Sequence, residues 1–117
     1  MKPENVILLE EAVQDLEIGR EFYDDQEEGV GAYFVASLLS DIASLQLYAG
    51  VHPSHFEFRR MLSKRFPFAV YYEIVSEVAR VVAVLDMRQD PKSIRRSLDV
   101  RKANKMASTT GKTRGVD

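Results

Sequence analysis

The chain contains no cysteine and no tryptophan, and its only histidines are His52 and His55. Without a thiol it can build neither a disulfide framework nor a thiolate metal site, which fits a reducing compartment. Long apolar runs are missing too. Between Met1 and Glu11 only Val6 to Leu9 is continuously apolar, too short for a signal-peptide core, and nothing later approaches the ~18 apolar residues of a spanning helix. A cytoplasmic protein is the expectation. Glycine-rich phosphate loops, nucleophile elbows and zinc motifs are also absent, so no cofactor or metal is expected.

What is present is enough for one folded domain. The 117 residues are 45% hydrophobic and 29% charged, which supports a single core and not two. The net charge of −2 conceals a division along the chain. Residues 1–50 carry Lys2 and Arg20 against eleven Asp/Glu, whereas residues 51–117 carry fourteen Lys/Arg against seven Asp/Glu. Clustered cations attract polyanions and release their counterions. The plainer reading of such a split is two solvated faces that pair with each other.

Periodicity organises the chain. Asn5 to Leu9 reads as a short strand whose apolar run suits burial on both sides. From Glu10 a helix is expected, with Ala12, Leu16, Gly19 and Tyr23 on one stripe, Val13 and Phe22 beside it, and Asp15 among the polar remainder. Gly29 and Gly31 mark a turn into a second helix, Gly31 to Ala49, with the stripe Phe34, Leu38, Ile42 and Leu45. After a loop at Gly50 to Ser54, strands are expected at Phe56–Leu62, Arg65–Val75 and Val78–Met87. Phe66, Phe68, Val70, Tyr72 and Ile74 alternate with Pro67, Ala69, Tyr71 and Glu73, so the first set is assigned to the core with Val82 and Val84. Tyr71 is assigned to the opposite, open face. Pro91 suits the first turn of a short C-terminal helix ending near Leu98. Residues 1–98 are thus expected to form the domain and residues 99–117 a polar, disordered tail. The fold class is α+β: an N-terminal strand and a helical hairpin packed on an antiparallel β-meander, in the order β-α-α-β-β-β-α.

That order, together with Ala12, Asp15, Leu16, Tyr23, Phe34, Arg60, Leu62, the run Arg65-Phe66-Pro67-Phe68, Tyr72, Val82 to Leu85, and Arg88-Gln89-Asp90-Pro91, resembles the RelE/ParE superfamily of toxins. The resemblance spans about Val6 to Leu98. It implies the toxin of a type II toxin–antitoxin, or plasmid-stabilisation, pair with a cognate antitoxin as partner.

The RNA-cleaving branch of that superfamily acts on messages at the ribosome. Cleavage by attack of a 2′-hydroxyl needs a proton acceptor, a cation for the phosphate and a donor to the leaving oxygen. For such a nuclease the catalytic candidates are Arg60, Arg65 and Arg88. That branch tends to carry an Arg after the aromatic of the third strand, where this chain has Ala69, and a late Tyr or His, where this chain has none beyond Tyr72. A ParE-like toxin that binds DNA gyrase without catalysis is therefore favoured over a ribosome-dependent nuclease, with a non-toxic binding module as a third reading. The candidate contact residues for target or antitoxin are Arg59, Arg60, Lys64, Arg65, Tyr71, Arg88, Lys92 and Arg95.

Two further clusters have plain explanations. His52, His55 and Glu57 are spaced like a loop metal site, but histidines three apart in a proline-containing loop are more often exposed. Asp24, Asp25, Glu27 and Glu28 resemble paired carboxylates, yet no apolar pocket accompanies them to raise a pKa, and a solvated helix end is the simpler assignment.

Overall fold

A computed structural model describes residue 3 and residues 5–115, with side-chain surroundings for these residues as far as 104. The element order is β1 (Asn5–Leu8), α1 (Glu10–Gln26), α2 (Val30–Ala43), α3 (Leu45–Tyr48), β2 (Ser54–His55), β3 (Phe58–Leu62), β4 (Phe68–Val75), β5 (Val78–Asp86) and α4 (Pro91–Gly115). One five-stranded sheet runs β1-β5-β4-β3-β2. β2 to β5 form an antiparallel meander, and β1 returns parallel to β5. The architecture is the expected α+β arrangement with a mixed sheet. β1 proves to be an edge strand with Ile7 partly exposed, so its apolar run is not buried on both sides. The long strands begin at Phe58 and Phe68, later than expected, because His55–Phe58 closes a tight hairpin and residues 63–67 form a loop.

α1 and α2 pack on one face of the sheet. Ala12, Leu16, Tyr23, Phe34, Leu38, Ile42 and Leu45 meet Phe68, Val70, Tyr72, Val81 and Val84 there, as the two helical stripes require. Close approach of the helices depends on Gly31, where a Cβ would lie 2.4 Å from the Arg20 carbonyl oxygen. Asp24 fixes the hairpin turn by accepting the N–H groups of Gly29 (3.2 Å) and Gly31 (2.8 Å). The second helix breaks at Ser44, whose hydroxyl bonds back to the Asp41 carbonyl at 2.6 Å, a contact known to bend helices. Val30–Tyr48, nineteen residues with an eighteen-residue window of mean hydropathy 1.4, is long and apolar enough by composition to cross a membrane, contrary to the expectation of no such stretch. Here its stripe is buried on the sheet instead.

The other face is also covered, and this corrects three expectations. α4 runs past Leu98 to Gly115, and Ile94 and Leu98 close a second core with Phe58, Ala69, Tyr71, Val82, Ala83 and Leu85. Tyr71 is 0% exposed and belongs to this core, not to an open surface. Val82 joins it there, away from the helical hairpin. Few apolar residues follow Leu98, so periodicity alone places the helix end there. A polar contact holds it instead: Arg101 reaches Asp15. The expected tail lies from residue 105 onward outside the residues whose side chains are described.

Asp15 and Arg101 meet at a gap in the sheet. β4 and β5 slip register between Tyr71↔Ala83 and Tyr72↔Val81, leaving Val82 as an extra residue on β5. β1 has ended at Leu8, opposite Val81, so nothing in the ladder pairs with the bulged stretch from that side. Asp15 Oδ2 accepts the Val84 N–H at 2.9 Å, and Arg101 Nη1 donates to the Val82 carbonyl at 3.0 Å. The two side chains join each other at 2.5 Å and 2.8 Å in a bidentate pair. Asp15, 9% exposed, is therefore on the buried stripe of α1 and not in its polar remainder.

Two stability outcomes follow from this packing. Gly31→Ala should lower unfolding free energy by about 1–3 kcal/mol, since the new methyl meets backbone that cannot swing aside. Arg101→Ala should cost about 3–5 kcal/mol because Asp15 is left buried and unpaired, whereas Asp15→Leu combined with Arg101→Met should recover much of that loss. Urea denaturation of the four proteins checks both; an Arg101→Ala midpoint equal to wild type would show that the pair is not what holds α4.

Candidate functional site

The expected cationic residues do not share one surface. Arg88, in the turn after β5, lies against α1, with its guanidinium 5.9 Å from the Phe22 ring centre and Nη2 donating to the Tyr23 hydroxyl at 3.3 Å. Arg60 pairs across the ladder with Tyr71 and so belongs to the opposite face, that of the second core. Its Nε is buried without a hydrogen-bond partner among the described residues. Burial pushes the Tyr71 phenol up, and the charge of Arg60 partly offsets this. Tyr71 donates only a long bond to Met87 Sδ, 3.7 Å. Arg60 and Arg88 therefore point to different sides of the sheet, which removes the cradle in which Arg60, Arg65 and Arg88 would grip one phosphate.

Arg88 is also chemically engaged. Its Nε and Nη2 grip Asp86 at 3.0 Å and 2.7 Å, and the Arg88 N–H adds a third bond at 2.8 Å. The hydrogen bonds from Arg88 hold the Asp86 carboxyl below its usual range, while Asp86 raises Arg88 further above its own. A planar guanidinium occupied bidentately by a carboxylate has little left to offer a phosphate.

The remaining candidates divide by position. Arg59 donates from Nη1 to the His52 carbonyl at 2.7 Å. Lys92 and Arg95 are exposed on the first turns of α4, with Arg95 5.9 Å from the Phe56 ring centre. Lys64 and Arg65 occupy the exposed 63–67 loop. Buried Asp41 on α2 holds that loop, accepting the Ser63 hydroxyl at 2.7 Å and the Lys64 N–H at 3.3 Å. Phe66 inserts among Tyr23, Tyr33 and Phe34, with ring centres 5.0, 5.6 and 5.1 Å away. Asp41 and Asp86 were missed in the sequence reading. Asp41 interrupts the apolar α2 run at a core-facing position, three residues after Leu38, and that was a usable signal.

A groove of about 340 Å³ runs between α1 and α4 over the open edge of β5. Ile18, Phe22, Phe68 and Leu85 supply its apolar lining, with the Asp15–Arg101 pair and Asp86 among its polar groups. Ile18 is 68% exposed and Phe22 46%, an unusual presentation for large apolar side chains on one helix.

The histidine cluster is a lock for the 50–53 loop. Tyr72 reaches through the core so that its hydroxyl accepts the Gly50 N–H at 2.8 Å and lies 2.5 Å from His52 Nδ1. With its oxygen so used, the phenol proton goes to Nδ1, which requires neutral His52. Glu57 is paired with Lys102. Burial, reinforced by the Arg59 charge, holds the His52 pKa below its ordinary 6.5. The folded state thus binds fewer protons than the unfolded chain. The stability contributed here is fully present above about pH 6.5 and is lost as pH falls from there through the lower folded pKa. Thermal melts of wild type should fall across that acidic window, and His52→Gln should flatten the dependence; identical pH profiles would contradict the lock.

Neither a family model nor a curated protein sequence matches the chain. Among solved structures it is similar to a chain titled "Chromosomal ParDE TA system from P. aeruginosa", with a TM-score of 0.67 and 16% identity, covering 72% of this chain and 96% of that one. Nearly the whole of that smaller chain thus finds a counterpart here. The protein has the α+β fold of that ParDE-system chain.

Proposed function

We propose that the protein is the toxin of a type II toxin–antitoxin pair, ParE-like in action: it arrests growth inside the cell by binding an essential target such as DNA gyrase, and a cognate antitoxin neutralises it. The fold supports the toxin reading, since the similar solved chain comes from a ParDE system. The observation that favours binding over catalysis is the separation of Arg60 from Arg88 by the sheet, together with the bidentate hold of Asp86 on Arg88. Ala69, where an arginine would serve a nuclease, is wholly buried in the second core.

The groove between α1 and α4 is the natural seat for an antitoxin segment. Both faces of the sheet carry helices, so the segment is assigned to this groove and not to the sheet itself. An amphipathic segment laying apolar anchors beside Ile18 and Phe22 would bury what the free protein leaves exposed. Such a segment orders as it binds.

The test is expression of the chain alone and with the neighbouring small reading frame. Growth arrest relieved by the neighbour, with supercoiling by gyrase inhibited in vitro and translated messages left uncut, is the expected result. Ribosome-dependent cuts that disappear with Arg60→Ala or Arg88→Ala would replace binding by catalysis, and growth without arrest would leave the non-toxic module. Ile18→Glu should weaken antitoxin affinity about tenfold or more with little change in thermal stability, because the side chain is exposed in the free protein.

A further inference from the structure

The 63–67 loop and the turn joining α1 to α2 carry charges of opposite sign that no intramolecular ion pair among the described residues consumes. The 63–67 loop presents Lys64 and Arg65, both exposed and in no ion pair among the described residues. The turn joining α1 to α2 presents Asp25, Glu27 and Glu28, likewise exposed and unpaired. Beside the loop Tyr33, 52% exposed, rests on half-buried Phe66, which is seated on Tyr23 of the core.

The loop is rigid in the way a contact surface needs. Asp41 and the Ser63 N–H bond to Phe68 O (2.9 Å) hold its start, and Phe66 anchors its middle. Its cations are presented without the ordering cost that a free loop would incur on binding.

We propose that these elements form a self-complementary surface through which two copies of the chain pair about a two-fold axis. In such an isologous contact the loop of each copy faces the acidic turn of the other, and Tyr33 with Phe66 meets its counterpart near the axis. The charges select this occupant. Arg88 is neutralised by Asp86, so the surface offers two free cations against three free carboxylates. A nucleic acid would gain from Lys64 and Arg65 and be repelled by more acids than it gains cations. A second copy satisfies both sets, and tyrosine and phenylalanine at the centre match the composition of interface cores.

Sedimentation equilibrium of the full chain at low and high salt tests this. A concentration-dependent dimer is expected at about 50 mM NaCl, with the dissociation constant rising about tenfold or more by about 500 mM as the exposed charges are screened. Lys64→Glu/Arg65→Glu and, separately, Asp25→Lys/Glu28→Lys should each be monomeric, as copies then oppose like charges. Mixed together, those two variants should form a heterodimer, a result that misfolding of either would not produce. Tyr33→Ala should weaken the dimer without the salt signature. A monomer at about 200 µM in low salt, a dimer indifferent to these substitutions, or failure of the mixture to pair while both variants melt cooperatively would overturn the proposal. So would tighter binding of an unstructured oligo-dT than of a second copy. None of these outcomes depends on toxicity, so they are separable from the function proposed above.

Discussion

The Asp15–Arg101 pair is the constraint on which the two-layered packing of this fold turns. A sheet covered on both faces needs its helices joined to each other as well as to the strands. Here α1 and α4 come from opposite sides and touch at the one place where β1 stops short. The bulge at Val82 presents a carbonyl and an N–H toward that gap, and the carboxylate and guanidinium satisfy both. Buried ion pairs rarely outperform apolar packing in stability, but they are unforgiving of misalignment. This pair helps set the position of α4, and α4 in turn makes Tyr71 an interior residue.

Fate of charge is the second theme. The row of cations that dominates the sequence after residue 58 suggests a phosphate-binding strip. In the folded chain those cations are dispersed: Arg60 half-buried on the face of the second core, Arg88 gripped by Asp86, Arg101 by Asp15, Arg59 on a loop carbonyl. A catalytic site for phosphoryl chemistry requires convergence on one reacting atom. A binding surface has no such requirement, because single cations at separate places still steer and orient a protein partner.

Much of the fold was legible in the sequence for identifiable reasons. The α1 and α2 stripes obey a 3.6-residue period, and the β4 alternation places Phe68, Val70 and Tyr72 correctly against them. The second core was not legible, because alternation marks which residues share a face but not whether that face is covered. Ala69 and Tyr71 read equally well as solvent-facing. The covering helix was underestimated because only Ile94 and Leu98 advertise it, and its decisive contact joins residues 86 positions apart. Of the candidate site, the sequence identified cations by type. It did not reveal Asp86 as the partner of Arg88, and it missed Arg101, whose pairing with Asp15 follows from no local period.

That separation of 86 residues also bears on how the chain reaches its fold. The helical hairpin and the antiparallel meander are assembled largely from contacts between neighbouring elements, and such contacts form early. The C-terminal helix can dock only once its platform exists. Until then the bulged stretch of β5 is an unprotected strand edge carrying apolar residues, and the carboxylate of α1 has no counter-charge. Unpaired edges of this kind recruit other strands. A substitution that weakens the docking of α4 is therefore expected to reduce soluble yield, because it leaves that edge uncovered for longer.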